Sequence, residues 1–395
     1  MKKMIVLFLA LALVLTTSAA LAEPVTIHFA AQGDSTPATQ AVIDAFNASQ
    51  SAYKVEWIDM TNDSGAMREQ LTTSLKAGSA EYDVLSLDVV WAGEFAASGY
   101  IAPLDLLMDD AGLKPEDYNT GSMASGTYNG KLYVMPFFPD LGMLYFRKDI
   151  VSEEDALKLV AGTYTFADLQ AMAEKYMGQK GTTAGFVFQS SLYEGLVCNA
   201  NEFTANWKDI KGGLTAMKAM IDSPATPDNI MTYTEAETHN SFIKGESVFA
   251  RNWPYQWGMI KTEGTITTDQ VGIAPLPGGS TVGGWLLAIN KNSANQEGAF
   301  EFLKFLNSDA GQIVMSQAYL PGYNAMLTNE QVIKNNELLS MEGFKNALKT
   351  TIARPVSAEY SKVSDGLQQA VYGYLSGATD IGAAVTAVEA ALAQK

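Results

Sequence analysis

Cysteine and histidine are scarce in this sequence, which limits the metal and disulfide chemistry that it can hold. Its 395 residues include one cysteine, Cys198, and two histidines, His28 and His239. An intramolecular disulfide needs a second thiol, and a cysteine-based structural zinc site needs several. We therefore expect no disulfide, no metal and no cofactor. A Ser-His-Asp triad could be built only on one of the two histidines.

Positive charge is scarce as well. The chain has 26 Lys and Arg against 43 Asp and Glu, a formal net charge of -17. Phosphate backbones and anionic membrane surfaces both attract basic protein surfaces, so we expect neither nucleic acid nor a membrane surface as a partner. A chain of 395 residues is too long for one hydrophobic core, which predicts two domains.

The common catalytic and cofactor motifs are missing too. The sequence has no GxxxxGK phosphate loop, no GxGxxG turn, no HExxH zinc motif and no GxSxG nucleophile elbow. These absences remove the enzyme classes that such motifs mark, although they do not exclude every enzyme.

The N-terminus predicts export. Residues 1–22 have the features of a secretory signal peptide: two early lysines, an apolar run over 5–15, and small residues at Ala20 and Ala22. The apolar run is too short to span a bilayer, and no cysteine stands at the cleavage point to carry a lipid. We expect a soluble mature chain from Glu23, located in a bacterial periplasm.

The next residues alternate between strand and helix patterns. Period-two alternation predicts strands over 25–29, 53–58 and 82–87. Apolar residues at helical spacing predict helices over 38–46 and 64–77. This order predicts an α/β fold with a parallel sheet covered by helices.

Ligands of such sheets bind beyond the carboxyl ends of the strands, which directs attention to residues 32–35 and 88–91. Further along, strands are predicted over 142–146 and 285–289, and the two prolines of 136–139 predict a turn-rich stretch there.

Aromatic and charged side chains in the predicted loops suit a ligand rich in hydroxyl groups. Trp253 and Tyr255 lie two residues apart, and Trp285 follows two glycines. A flat aromatic face can cover the C–H face of a pyranose ring, and carboxylates such as Asp88 and Asp140 can accept hydrogen bonds from its hydroxyls. Any single aromatic residue of this kind is more often a core residue than a ligand contact.

An ordered series of segments resembles the extracellular solute-binding proteins of ABC sugar importers, and it is most similar to the maltose/trehalose-type branch. The series covers nearly the whole mature chain. The resembling segments are 82–84, 88–96, 99–105, 129–136, 144–149, 242–246, 252–255, 272–278, 283–285, 299–306, 320–321 and 354–355.

The resemblance implies a type II periplasmic-binding-protein fold, with two α/β lobes joined by a hinge and a ligand cleft between them. The first lobe is expected over 23–135 and 287–338, and the second over 136–286 and 339–395. The expected chain is a monomer that captures a di- or oligosaccharide and delivers it to membrane ABC permease subunits by hinge closure. It is not expected to be an enzyme.

The resemblance also implies a set of ligand-binding residues. They are Asp34, Arg68, Asp88, Trp91, Phe138, Asp140, Trp253, Tyr255, Gly284, Trp285 and Arg354. Two positions depart from the family pattern. The branch's early glutamate has no clear counterpart, so Asp34 or Gln32 would act instead, and Phe138 lacks the hydroxyl of the tyrosine often found there.

Two other functions remain open at this point. Aromatic residues and carboxylates also suit a polyamine, through cation–π contacts, although Arg68 and Arg354 near the cleft disfavour a cation. A glycoside hydrolase could use Asp88 and Asp140 as its carboxylate pair.

Overall fold

The computed structural model describes residues 23–355, 357 and 359–394. The predicted signal peptide, residues 1–22, lies outside the described residues. Within the described part of the chain, none of the helices is both long enough and apolar enough to span a bilayer.

Strands and helices alternate along the first hundred residues, as the sequence pattern predicts. The strands of the described residues are β1 (Val25–Gln32), β2 (Tyr53–Met60), β3 (Val84–Asp88), β4 (Thr127–Tyr128), β5 (Lys131–Leu132), β6 (Val134–Leu141), β7 (Met143–Arg147), β8 (Ala184–Val187), β9 (Ser247–Asn252), β10 (Val271–Ala274), β11 (Ser280–Ile289) and β12 (Thr351–Ile352).

The helices cover the faces of the sheets and form the C-terminal part of the chain. They are α1 (Ala38–Ser49), α2 (Ser64–Lys76), α3 (Ala92–Ala97), α4 (Asp105–Asp110), α5 (Thr120–Ser125), α6 (Glu153–Ala161), α7 (Phe166–Tyr176), α8 (Glu194–Phe203), α9 (Ile210–Ile221), α10 (Glu235–Ile243), α11 (Tyr255–Glu263), α12 (Gln296–Leu306), α13 (Asp309–Met315), α14 (Glu330–Asn335), α15 (Glu342–Lys349), α16 (Tyr360–Leu375) and α17 (Ile381–Leu392).

Two main sheets organise the molecule. The first has the strand order β12-β11-β3-β1-β2, with β6 paired to β11. Its strand β1 runs parallel to β2 and β3, whereas β11 runs antiparallel to β3 and β6. The second sheet has the order β10-β7-β9-β8. We call each sheet with its helices a lobe, the first and the second.

Each lobe has its own hydrophobic core. In the first lobe, Phe29 packs on one face of the sheet and Ala30 on the other, so helices cover both faces. Every residue of β3 is buried, as expected for a central strand covered on both sides. The core of the second lobe includes Tyr145 and Phe249, and the C-terminal helices α16 and α17 pack against it.

The chain passes between the lobes more than once. It leaves the first sheet after β6, enters the second at β7, and returns from β10 to β11. Later, α16 and α17 contribute to the core of the second lobe, whereas α12 and α13 contribute to that of the first. The exact lobe boundaries given above stay a prediction.

Strand β6 corrects one sequence prediction. The stretch 136–139, predicted as turn-rich because of Pro136 and Pro139, is part of an eight-residue strand. The strand tolerates both prolines because its ladder partner lies on one side only, β11, and an edge strand does not need every N–H. A β-bulge between Trp285 and Leu286 shifts the register at this point.

The register of β11 gathers the predicted site residues. Trp285 lies opposite Asp88 of β3 on one side and Phe138 of β6 on the other. The preceding Gly284 has a φ of +115°, and a Cβ there would lie 2.6 Å from the Phe138 carbonyl oxygen. Only glycine accommodates both that backbone conformation and that close approach.

We expect Gly284→Ala to lower the free energy of unfolding by ~2 kcal/mol or more, because it combines backbone strain with a backbone clash. Urea denaturation followed by tryptophan fluorescence measures this change. Gly377→Ala is the control, since Gly377 has a φ of +80° with no atom within 4 Å of an added Cβ. Strain alone predicts a loss of ~1 kcal/mol there, and equal losses at the two positions would contradict the packing argument.

Candidate ligand-binding site

A cavity of about 360 Å³ lies between the two lobes. The first lobe contributes the ends of β1 and β3 and the segment around Trp285, and the second contributes the starts of α8 and α10 and the segment after β9. Nine of the eleven predicted ligand-binding residues line this cavity: Asp34, Asp88, Phe138, Asp140, Trp253, Tyr255, Gly284, Trp285 and Arg354.

The other two predicted residues, Arg68 and Trp91, do not line the cavity. Arg68 of α2 forms an ion pair with Glu94 of α3. Trp91 is 5% exposed, and its ring packs edge-on against that of Trp285 with centroids 5.4 Å apart. Trp91 thus supports the Trp285 ring from outside the cavity, and contact of Arg68 or Trp91 with a ligand stays a prediction.

Arg354 joins the two lobes at the cavity wall. Its Nη2 lies 2.7 Å from Oδ1 of Asp88 in the first lobe, and its Nη1 lies 2.9 Å from Oε1 of Glu194 in the second. Glu194 also accepts hydrogen bonds from the hydroxyls of Tyr360 and Ser364 of α16. Burial raises the pKa of Glu194 above its ordinary value, and the Arg354 guanidinium opposes that rise.

Asp140 has few internal partners among the described residues. It accepts one hydrogen bond, from the Leu141 backbone N–H at 3.2 Å. Burial raises its pKa well above the usual range, against the effects of that N–H and of the Arg251 charge, and Glu235 raises it further. Such a carboxyl group has free capacity for hydrogen bonds with a ligand.

Glu235 fixes two aromatic residues of the second lobe. Its Oε1 accepts a hydrogen bond from the Trp253 indole Nε1 at 3.2 Å, and its Oε2 accepts one from the Tyr193 hydroxyl at 2.7 Å. Gly283 makes room for the same indole, because a Cβ at that position would lie 2.8 Å from the ring. These two contacts place the Trp253 indole at the cavity wall.

Tyr255 and His239 form a second fixed pair. The Tyr255 hydroxyl lies 2.8 Å from Nδ1 of His239, and the two rings meet edge to face. Burial lowers the pKa of His239 to about 4, against the effect of Glu237, and Lys244 lowers it further. The imidazole is thus neutral at neutral pH, where it can accept or donate a single hydrogen bond to the tyrosine.

Asp34 is fully engaged by its own surroundings. Its carboxylate accepts hydrogen bonds from the backbone N–H groups and hydroxyls of Thr36 and Thr39. It also accepts one from the Tyr319 hydroxyl at 2.7 Å. The Tyr319 ring stacks on Phe138 with centroids 4.0 Å apart. Asp34 therefore positions an aromatic pair at the cavity wall.

Among the described residues, six carboxylates line the cavity against a single arginine, Arg354. They are Asp34, Asp63, Asp88, Asp140, Glu194 and Glu235. In the described part of the chain, no three His, Cys, Asp or Glu side chains are grouped so that they could hold a metal ion. The cavity therefore presents many hydrogen-bond acceptors next to flat aromatic rings.

Comparison with known protein families decides what kind of protein this is. Residues 32–313 match the family of bacterial extracellular solute-binding proteins. The chain belongs to this family. The resemblance that the sequence predicts is thereby confirmed, and so is the α/β two-lobe fold, which solved structures of such solute-binding proteins share.

Three relatives show how far the likeness extends. A probable ABC transporter-binding protein of Deinococcus radiodurans is 29% identical over 380 residues, covering 88% of each chain. A maltotriose-binding protein of Pyrococcus abyssi is 24% identical over 310 residues, covering 71% of this solute-binding protein and 63% of the relative. The maltose-bound structure of T. maritima MalE3 is 28% identical, with a TM-score of 0.82, and covers 93% of this chain and 99% of its own.

Membership of the family fixes the general role. Solute-binding proteins of ABC importers act outside the cytoplasm, hold a small molecule and pass it to permease subunits in the membrane. The fold and the family are those of binding proteins rather than of enzymes. The identity of the solute is a separate question, taken up below.

Several residues of the cavity wall were not predicted from the sequence. They are Tyr193, Glu194, Glu235, His239 and Tyr319. Tyr319 directly precedes segment 320–321 of the resembling series, which is the one signal that could have found it. Tyr193 directly precedes α8, Glu194 and Glu235 begin helices, and His239 lies within α10; their sequence surroundings carry no motif.

We expect the pKa of His239 to make the fold sensitive to acid. Its folded-state pKa of about 4 lies below the ~6.5 of an unfolded chain. The unfolded chain therefore binds more protons in this window, and stability falls as the pH falls from about 6.5 towards 4. The free energy of unfolding of the native protein minus that of His239→Gln should be larger at about pH 7.5 than at about pH 4.5. The change between the two pH values should be ~3 kcal/mol at most.

Urea denaturation at each pH measures this difference. The same substitution at the half-exposed His28 controls for loss of an imidazole. A stability difference between native protein and His239→Gln that stays constant over the whole pH range would contradict the argument.

Proposed function

We propose that this solute-binding protein captures a di- or oligosaccharide in the cavity between its lobes and delivers it to an ABC permease. The observation that carries the proposal is the convergence of Trp253, Tyr255 and Trp285 with several carboxylates around one cavity of about 360 Å³. That volume falls within the usual range for small-molecule sites. The relatives that bind maltose and maltotriose support the same class of ligand.

The chemistry of the wall suits a neutral ligand with many hydroxyls. The ring faces of Trp253 and Trp285 can cover the C–H faces of sugar rings, and the bare backbone at Gly284 allows close approach. Asp140 can accept hydrogen bonds from sugar hydroxyls, since it has one internal donor. A ligand without matching hydroxyls would leave this buried group unpaired, which penalises its binding.

Asp88 and Arg354 would act on the ligand as a joined pair. Nη2 of Arg354 lies 2.7 Å from Oδ1 of Asp88, so the guanidinium keeps the carboxylate in place. Remaining lone pairs and N–H groups can still bond to hydroxyls. Asp34 would act on the ligand indirectly, by holding Tyr319 through its hydroxyl. This would give the acidic residue of the first loop a role, although the family's early glutamate has no clear counterpart here.

A polyamine is the second candidate ligand. Within the described residues, Asp140 and Glu235 have no cationic side chain within 4.0 Å, and both lie near the aromatic rings. This arrangement would suit an amine. Arg354, however, is already present at the wall, and two charged amines would meet it in the same cavity.

A glycoside hydrolase is disfavoured by the pairing of Asp88. Such an enzyme would need Asp88 as proton donor or nucleophile, yet both of its oxygens accept hydrogen bonds from Arg354. Incubation with maltooligosaccharides and analysis for shorter products distinguishes the two roles, because a binding protein returns its ligand intact.

We expect Trp253→Ala and Trp285→Ala each to weaken sugar binding by roughly tenfold, since loss of ~1.4 kcal/mol of stacking corresponds to that factor. Isothermal titration with maltose, maltotriose and trehalose measures the affinities. Trp257→Phe is the control, because Trp257 is 5% exposed and does not line the cavity. Binding of spermidine without binding of any sugar would overturn the proposal in favour of a polyamine.

Closure of the lobes is the second part of the proposal. A ligand that contacts Trp285 in the first lobe and Trp253 in the second gains both contacts only when the lobes are together. That difference in affinity shifts the population towards the closed form. In the closed form, Arg354 would join Asp88 of the first lobe to Glu194 of the second.

Small-angle scattering tests closure directly. We expect a smaller radius of gyration when sugar is added to ligand-free protein, because the ligand draws the lobes together. The double variant Trp253→Ala/Trp285→Ala should show no such change at the same sugar concentration. An unchanged radius in the native protein at saturating sugar would contradict closure.

The proposal also covers where the protein acts and its oligomeric state. Residues 1–22 would direct export and be removed, which leaves a periplasmic monomer that begins at Glu23. The permease subunits would then recognise the closed form of this monomer.

A further inference from the structure

The Trp253 ring rests on a buried arginine. The guanidinium carbon of Arg251 lies 4.0 Å from the centroid of the indole. Arg251 is 1% exposed and does not line the cavity, whereas Trp253 does. The guanidinium therefore covers the side of the indole that faces away from the cavity.

The guanidinium is itself fixed by a network of acceptors. Glu202 of α8 accepts from Nε at 2.9 Å and from Nη2 at 2.6 Å, and Gln189 accepts from Nη1 at 3.1 Å. The Glu202 carboxylate also accepts the backbone N–H of Thr281 in β11. Both members of the ion pair are 1% exposed, so this geometry is held without competition from water.

We propose that Arg251 is a positioning residue for ligand binding: its flat guanidinium, held by Glu202, fixes the Trp253 ring with its free face towards the cavity. The effect on affinity rests on the proposed function. A ring already held in place loses less freedom when the ligand arrives, which strengthens binding. Only a planar guanidinium can both fork onto a carboxylate and stack on an indole, so lysine would not replace it.

The test uses a pair of substitutions that leaves no charge unmatched. Arg251→Met alone would strand the buried Glu202 carboxylate, so it is combined with Glu202→Gln, which keeps an acceptor for the Thr281 N–H. The matched control is Arg147→Met with Asp149→Asn. That ion pair also belongs to the second lobe, with side chains 4% and 15% exposed, and Arg147 lies on β7 next to β9.

The first measurement needs no ligand. Fluorine NMR of protein labelled with 5-fluorotryptophan resolves the tryptophans, and Trp253→Phe identifies the Trp253 signal. We expect the Arg251/Glu202 pair variant to broaden or split this signal, because a ring that is no longer held samples more than one orientation, while the Arg147/Asp149 pair variant leaves the line shape unchanged. An unchanged Trp253 signal in a folded Arg251/Glu202 pair variant would overturn the proposal.

The second measurement is a double-mutant cycle in maltotriose affinity. We expect the Arg251/Glu202 pair variant to bind roughly tenfold more weakly than the native chain, with a comparable loss for Arg251→Lys. In a Trp253→Ala background the same pair variant should cause less than a twofold further loss, because its effect passes through the ring. A loss of equal size in both backgrounds would contradict positioning.

The two measurements separate this inference from the proposed function. If the native protein binds no sugar, the proposed function fails, and the fluorine signal still decides whether Arg251 holds the ring. If the native protein binds sugar and the Arg251/Glu202 pair variant binds it equally well, only the positioning role fails.

Discussion

The cavity depends above all on how β11 pairs with its neighbours. This antiparallel strand lies between β3 and β6, and its register sets Trp285 opposite both Asp88 and Phe138. A shift by one residue would turn every side chain of the strand to the other face and would remove the aromatic ring from the cavity. The positive φ of Gly284, with backbone packed against it, fixes that register.

Around this strand, charged groups act mainly on one another. Arg354 bonds to Asp88 and Glu194, Arg251 bonds to Glu202, and Arg68 bonds to Glu94. Buried ions need such partners, because an unpaired charge in the interior is strongly destabilising. Other side chains bond to the aromatic residues of the wall: Glu235 to Trp253, His239 to Tyr255, and Asp34 to Tyr319.

Much of the site could be predicted from the sequence because the family pattern is carried by short segments in a fixed order. Asp140, Trp253 and Trp285 were found in this way, and all of them line the cavity. Arg68 is predicted by the same reasoning, yet it pairs with Glu94 and does not line the cavity. A motif gives the position of a residue in the chain, whereas the direction of a long side chain depends on the charges that surround it.

The amino-acid sequence by itself determined the α/β class, since hydrophobic periodicity is a local property of the chain. It determined the family as well, because the family's short segments can be recognised by their order along the chain. Only the tertiary structure decided that residues 136–139 form a strand, that Asp34 serves Tyr319, and that Arg251 lies beneath Trp253. Strand pairing, hydrogen bonding and stacking of this kind join groups that are distant in the chain, so no local pattern records them.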